Sequence, residues 1–209
     1  MALYKFGMFP GELQPNAVVG GCIHIFENVW PDPKTTIQRA EAECCKPESG
    51  VTWQKAATFD GGVMQDHRSN LNLNVTESGL VYNNPVMQNI HNQFNMLLLA
   101  TTYVYADKAG LPQDTLYHET YNLLKYRENE EYKVHYDGGT GQPRTISCIC
   151  YLNDDYEGGE LEFPNFDIKI KPQAGMLILF PSSYPYKHVA HPVISGTKYN
   201  LVTWIRDEL

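Results

Sequence analysis

A chain of 209 residues is long enough for one domain with a substantial core. Aromatic residues make up 12% of it and Tyr outnumbers Phe and Trp together, which excludes a disordered polymer and suits a β-rich fold. The net charge of −8, with no basic stripe, excludes a nonspecific nucleic-acid binder, which would need clustered Lys and Arg against the phosphates.

The apolar run Cys22-Ile23-His24-Ile25-Phe26, within residues 18 to 28, predicts an early strand, and His24 within it reads as a core histidine rather than a ligand. Asp32 followed by Pro33 is a helix cap with proline at the first helical position, so a helix is expected to about Cys45. A turn is expected at 59 to 62. Asn84-Pro85 repeats the cap, and Val86, Ile90, Phe94, Leu97, Leu98, Thr101 and Val104 follow at helical spacing, giving a long amphipathic helix to about residue 107. Its apolar stripe reads as core, and His91 and His118 read as surface or packing residues.

From residue 119 the pattern changes to short period-two segments separated by Gly, Asn, Asp and Pro. The candidates are 119 to 127, 132 to 137, 144 to 152, 160 to 163, 167 to 171, 175 to 180, 187 to 194 and 197 to 206. That number and spacing of strands predicts a sandwich or jelly roll. Gly138-Gly139-Thr140-Gly141 reads as a flexible turn, because no Lys-Ser/Thr and no helix pattern follow it as a phosphate loop requires. The acidic residues Glu128, Glu130 and Glu131 read as a solvated turn.

Cys22, Cys44, Cys45, Cys148 and Cys150 form an odd set without zinc-ligand spacing, so no disulfide framework is expected and a reducing compartment fits. The first residues, MALYKFGMFPGELQPN, lack the apolar centre of a signal peptide, and no apolar run reaches the length of a membrane span. The expected location is the cytoplasm, with no membrane partner. On that footing the sequon Asn74-Val75-Thr76 is coincidental.

The chemistry concentrates in Tyr126 to Asp137, YRENEEYKVHYD. In an extended strand residues two apart project to the same side, so His135 and Asp137 aim an imidazole and a carboxylate at a common point. One more His would complete the two-His, one-carboxylate facial set that holds non-haem Fe(II) with open positions. Alone, an H-x-D triplet is a weak signal.

The surrounding landmarks sharpen it. Tyr132-x-x-His135-x-Asp137 is followed by Arg144-x-x-Ser147-x-x-x-Tyr151-Leu152-Asn153, then by Glu157-Gly158-Gly159-Glu160-x-x-Phe163, Pro172-x-x-Gly175-x-x-x-x-Phe180, and His188-x-x-x-Pro192-Val193-x-x-Gly196-x-Lys198. In this order, over about residues 120 to 206, they resemble the Fe(II)- and 2-oxoglutarate-dependent oxygenases of the prolyl 4-hydroxylase type, small bacterial or phage forms in particular. The N-terminal half matches more loosely, and Arg68-Ser69-Asn70 is given no role.

The resemblance implies a mainly β fold with supporting α-helices around a double-stranded β-helix, or jelly-roll, core. It implies one oxygenase domain over residues 1 to 209, with supporting strands and helices to about 118 and the catalytic core from about 119. The metal ligands it implies are His135, Asp137 and His188, the family spacing to Pro192 selecting His188 over His191. Lys198 stands where the family places the cation for the distal carboxylate of 2-oxoglutarate, with Tyr151 and Tyr126 as further pocket residues. Arg144 and Trp204 match positions on the substrate side and wall of the pocket. The implied cofactor is Fe(II), with 2-oxoglutarate and O2 as cosubstrates and ascorbate as reductant, and the implied reaction hydroxylates a prolyl residue of a peptide or protein with release of succinate and CO2. Two alternatives stay open: a hydroxylase of a free amino acid or other small metabolite, and a noncatalytic metal-binding jelly-roll module.

Overall fold

The computed structural model describes residues 13–56, 66–76, 80–139, 141 and 143–207. The first half contributes the strands β1 (Ala17–Val19), β2 (Ile23–Phe26), β3 (Gln54–Lys55) and β4 (Leu71–Asn74), and the helices α1 (Pro33–Cys44), α2 (Leu80–Asn83) and α3 (Pro85–Ala109). The second half is almost all strand: β5 (Leu116–His118), β6 (Asn122–Tyr126), β7 (Tyr132–His135), β8 (Arg144–Tyr151), β9 (Glu157–Gly158), β10 (Leu161–Phe163), β11 (Ile168–Ile170), β12 (Leu177–Pro181), β13 (His188–Ala190), β14 (Val193–Ser195) and β15 (Lys198–Asp207).

Both main helices begin where the caps place them. Asp32 Oδ1 accepts from the Thr35 amide, and Asn84 Oδ1 accepts from the amides of Val86 and Met87. Each cap satisfies amides that a helix start leaves without partners. The left-handed Gly110 ends α3.

The strands form a large antiparallel sheet in the order β1-β2-β12-β8-β15-β6-β4-β3, with β5 also paired to β15, and a smaller sheet β11-β10-β13-β7. Helix α3 lays Met87, Ile90, Phe94, Leu98 and Val104 on one face of the large sheet, burying them with Leu123, Cys148, Cys150, Leu179 and Leu201. The opposite face looks toward the smaller sheet. Alternation along β15 therefore divides its side chains: Tyr199 and Leu201 enter the helix-side core, whereas Lys198, Asn200, Val202 and Trp204 line a cavity between the sheets.

Several expected boundaries differ. The segment 187 to 194 is not one strand: β13 belongs to the smaller sheet, while β14 pairs with β9. Pro192 lies at the break, where it has no N–H to give a ladder, and its carbonyl instead accepts from the Gly159 amide. The strand expected to run to Asp137 ends at His135. Glu130 is buried rather than solvated, because its carboxylate accepts from the Arg127 amide and guanidinium. The short strands β5 and β9 were not expected. The turn expected at 59 to 62 lies outside the described residues.

Candidate active site

Two adjacent strands of the smaller sheet bring the candidate ligands together. In the β13–β7 ladder His188 lies directly opposite His135, and the two imidazole centroids are 4.3 Å apart. The chain then bends, and the Asp137 carboxylate meets both rings: His135 Nε2 is 3.6 Å from Oδ1 and His188 Nε2 is 3.6 Å from Oδ2. One ligand atom from each of the three residues lies within 4.8 Å of the others.

The orientation of the rings suits a divalent cation. His135 Nδ1 is 2.7 Å from the Lys133 carbonyl and His188 Nδ1 is 3.1 Å from the Tyr186 carbonyl. A carbonyl only accepts, so Nδ1 donates on each ring and both Nε2 atoms are turned toward Asp137. Burial, then the His188 imidazole, push the pKa of His135 down to about 3 against the pull of Asp137. For Asp137 burial acts upward, but His188, His135, the Ser147 hydroxyl and the Trp204 indole together hold its pKa below the ordinary carboxylate range. Two imidazoles that turn Nε2 toward one carboxylate are the donor set of non-haem iron sites.

Asp137 is held from several sides. Ser147 Oγ donates to Oδ2 at 2.6 Å and lies 2.8 Å from Ser182 Oγ. Arg144 Nη1 reaches the Asp137 backbone carbonyl at 3.4 Å, its guanidinium lies 3.7 Å from the Trp204 ring centroid, and Glu119 fixes it through bonds of 2.9 and 2.8 Å. Glu119 also accepts from Arg206 at 2.8 Å. The next residue must be small, since a Cβ on Gly138 would stand 2.6 Å from the Arg144 carbonyl oxygen.

The cavity adjoining the three residues is lined by Ser147, Ile149 and Tyr151 of β8, Leu124 and Tyr126 of β6, and the four alternate residues of β15. Trp204 and Ser147 stand at the Asp137 end. Lys198 stands at the other end of the row, only 2% exposed. Its Nζ donates to the Gly159 carbonyl at 3.0 Å and lies 4.4 Å from the Tyr126 ring centroid. No carboxylate is within ion-pair reach of it among the described residues. Burial pushes its pKa down to about 7, while Glu160 pulls in the opposite direction. A buried cation so placed can receive the carboxylate of a ligand, which would supply the missing counter-charge.

Residues 121–206 match the family model described as the 2OG-Fe(II) oxygenase superfamily. Over these residues the chain is similar to that superfamily, and the relatives it resembles include prolyl 4-hydroxylases. It is 30% identical over 126 residues to prolyl 4-hydroxylase 13 of Arabidopsis thaliana, covering 46% of this chain and 45% of the relative. It is 27% identical over 173 residues to a putative prolyl 4-hydroxylase of Acanthamoeba polyphaga mimivirus, covering 71% and 64%. The chain thus spans under two thirds of the length of these relatives. In structure it is similar to the viral collagen prolyl hydroxylase of Paramecium Bursaria Chlorella virus-1, with a TM-score of 0.61 and 21% identity over 90% of this chain and 98% of that one. That likeness is one of fold, and it places the two antiparallel sheets in the double-stranded β-helix architecture of 2-oxoglutarate oxygenases.

Of the residues singled out from the sequence, His135, Asp137, His188, Lys198, Tyr151, Tyr126 and Trp204 all line this cavity. Arg144 stands behind Asp137 and Trp204. His191 pairs with Glu162 at 2.6 Å. Arg68, to which the sequence gave no role, lines the cavity with its guanidinium 4.7 Å from the Tyr132 ring centroid. Glu119, Ser182 and Asn200 were missed; each is an isolated polar residue in sequence. No described helix is long and apolar enough to cross a membrane.

Proposed function

We propose that this protein is an Fe(II)- and 2-oxoglutarate-dependent dioxygenase that hydroxylates a prolyl residue in a peptide or protein. The observation that carries the reading is the sharing of one cavity by a two-His, one-carboxylate set and a buried lysine without a carboxylate partner among the described residues. His135, Asp137 and His188 would hold the metal on one side and leave its other positions open. The chemistry that bound Fe(II) supplies is coupled oxidation, in which one atom of O2 enters succinate as 2-oxoglutarate loses CO2 and the other enters the C–H bond of the substrate.

The chain's own residues do the rest. Lys198 binds the distal carboxylate of the cosubstrate, and Tyr151 and Tyr126 line the same cavity. Leu124, Ile149 and Val202 give its carbon chain a dry channel. Ser147 and the Trp204 indole hold Asp137 ionised and fixed in orientation.

A peptide substrate is supported by exposed aromatic surface near the candidate ligands in sequence. Tyr136, between His135 and Asp137, and Tyr184, four residues before His188, are 5.9 Å apart in an edge-to-face pair and are 50% and 64% exposed. Exposed aromatic surface of this kind suits an extended segment better than a closed-over metabolite. The test is mass spectrometry of proline-containing peptides incubated with the protein, Fe(II), 2-oxoglutarate, ascorbate and O2. Gain of one oxygen atom on proline is expected. Turnover of 2-oxoglutarate with no oxygenated proline in any peptide would overturn the prolyl assignment and favour a small-metabolite substrate.

A further inference from the structure

Ser182 is buried and stands one hydrogen bond away from the group that holds Asp137. Its position follows from the ladder. Phe180 of β12 lies opposite Ser147 of β8, and Ser182, two residues further along, continues the same face as the diagonal neighbour of Ser147. Its backbone ties β8 to the bend that follows Asp137: the Ser182 amide donates to the Thr145 carbonyl at 3.0 Å, and its carbonyl accepts from the Gly138 amide at 2.8 Å. Those bonds need no hydroxyl, and alanine could make both. The buried hydroxyl does something else. An ionised carboxylate only accepts, so the single hydroxyl proton of Ser147 lies on the 2.6 Å bond to Asp137 Oδ2. The 2.8 Å contact between the two hydroxyls is then left with one donor, Ser182.

We propose that Ser182 is a positioning residue for the candidate metal ligand Asp137: its hydroxyl donates to Ser147 Oγ and so keeps the Ser147 proton on the carboxylate. The inference rests on the reading of His135, Asp137 and His188 as the metal ligands. A hydroxyl that accepts a hydrogen bond becomes a better donor, and in a buried site such chains strengthen along their length. Without the Ser182 hydroxyl, the Ser147 side chain would be held by one bond rather than two. Asp137 would then lose part of the support that sets its orientation toward the two imidazoles, and outer partners of this kind govern how well a ligand set holds its metal.

The test is a double-mutant cycle on the full chain, read by calorimetric titration with Mn(II). The variants are Ser182→Ala, Ser147→Ala and the two together, with Ser182→Cys as a replacement of similar size whose thiol is a weak donor. Ser182→Ala and Ser182→Cys are each expected to lose about tenfold in Mn(II) affinity, the lower end of what an outer partner of a metal ligand contributes, and Ser147→Ala at least as much. Because Ser182 acts through Ser147, the double variant should bind Mn(II) as Ser147→Ala does. A residue that only supported the fold would not show that dependence. Unchanged affinity in Ser182→Ala, parent affinity in Ser182→Cys, or a Ser182 loss that adds in full to that of Ser147→Ala would overturn the role of Ser182 while leaving the metal site in place. If Ser182→Ala does not fold, Ser182→Cys takes its place in the cycle with the same expected outcome. Asp137→Ala binding Mn(II) as tightly as the parent would overturn the reading of the ligands and this inference with it.

Discussion

Lys125 and Lys198 are neighbours across two paired strands, with Lys125 opposite Tyr199 and Lys198 opposite Tyr126, yet they face opposite sides of the sheet. On the helix side Lys125 bonds Glu41 at 2.7 Å and lies 5.4 and 5.6 Å from the ring centroids of Trp53 and Tyr199. Tyr199 donates to the same Glu41 oxygen at 2.7 Å. On the cavity side Lys198 has a carbonyl and a ring face, and no carboxylate within reach among the described residues. One sheet thus carries a cation whose charge is balanced within the protein and, on its other face, a cation placed to bind an anion. The first contributes to the fold, and the second, under the proposed function, would contribute to ligand binding at a cost to the fold.

Substitutions should separate the two faces. The largest effect is expected from Asp137→Ala, which removes the only carboxylate of the candidate ligand set. Mn(II) affinity should fall by more than the roughly 10–100-fold that loss of an outer partner costs, and succinate formation should stop, as measured by metal titration and product assay. Lys198→Met comes next. The 2-oxoglutarate affinity should fall by about 100-fold, since a desolvated charge partner is lost, while Mn(II) affinity is kept. The apoprotein should melt at a higher temperature, because a buried cation without a counter-charge has been replaced by an apolar chain.

The same lysine gives a pH prediction. Its folded pKa of about 7 lies below the unfolded value of 10.5, so the unfolded chain binds more protons between these values. Its contribution to apoprotein stability therefore rises as the pH is raised from about 7 toward 10.5, and thermal melts should lose that component of the pH dependence in Lys198→Met. The affinity for 2-oxoglutarate should move the other way, weakening above pH 7 as the ammonium becomes harder to keep, with Lys198→Arg flattening the decline.

Glu119→Gln probes the support behind the candidate ligands. It weakens the hold on Arg144, and Mn(II) affinity should fall by about tenfold with little change in 2-oxoglutarate affinity measured at saturating metal. The smallest effect is expected from Glu41→Gln on the helix side. Melting should report a loss of roughly 1 kcal/mol, as for a partly exposed ion pair, and ligand affinity should be unchanged. A fall in 2-oxoglutarate affinity there would break the separation of the two faces.

The sequence was most readable where local chemistry decides structure. Asp32 and Asn84, each followed by proline, placed both main helices because a cap acts on amides two or three residues away. His135, Asp137, His188 and Lys198 stand on motifs whose spacing is kept by strand geometry. The break at Pro192 and the two-residue strand β9 depend on pairing between segments remote in sequence, so period-two alternation alone did not reveal them. Glu119 was hidden for the same reason, since its partners Arg144 and Arg206 lie 25 and 87 residues away. Asn200 offered only its alternation with Lys198; the burial of its Oδ1 without a hydrogen-bond partner among the described residues is a property of the folded sheet.

The most direct measurement is succinate formation from 2-oxoglutarate by the parent protein with Fe(II), ascorbate and O2, with and without proline-rich peptides, beside His135→Ala. Turnover that a peptide stimulates and His135→Ala abolishes is the predicted result. Absence of turnover in Fe(II)-loaded parent protein, together with absence of 2-oxoglutarate binding, would contradict the account and leave a metal-binding jelly roll without oxygenase activity.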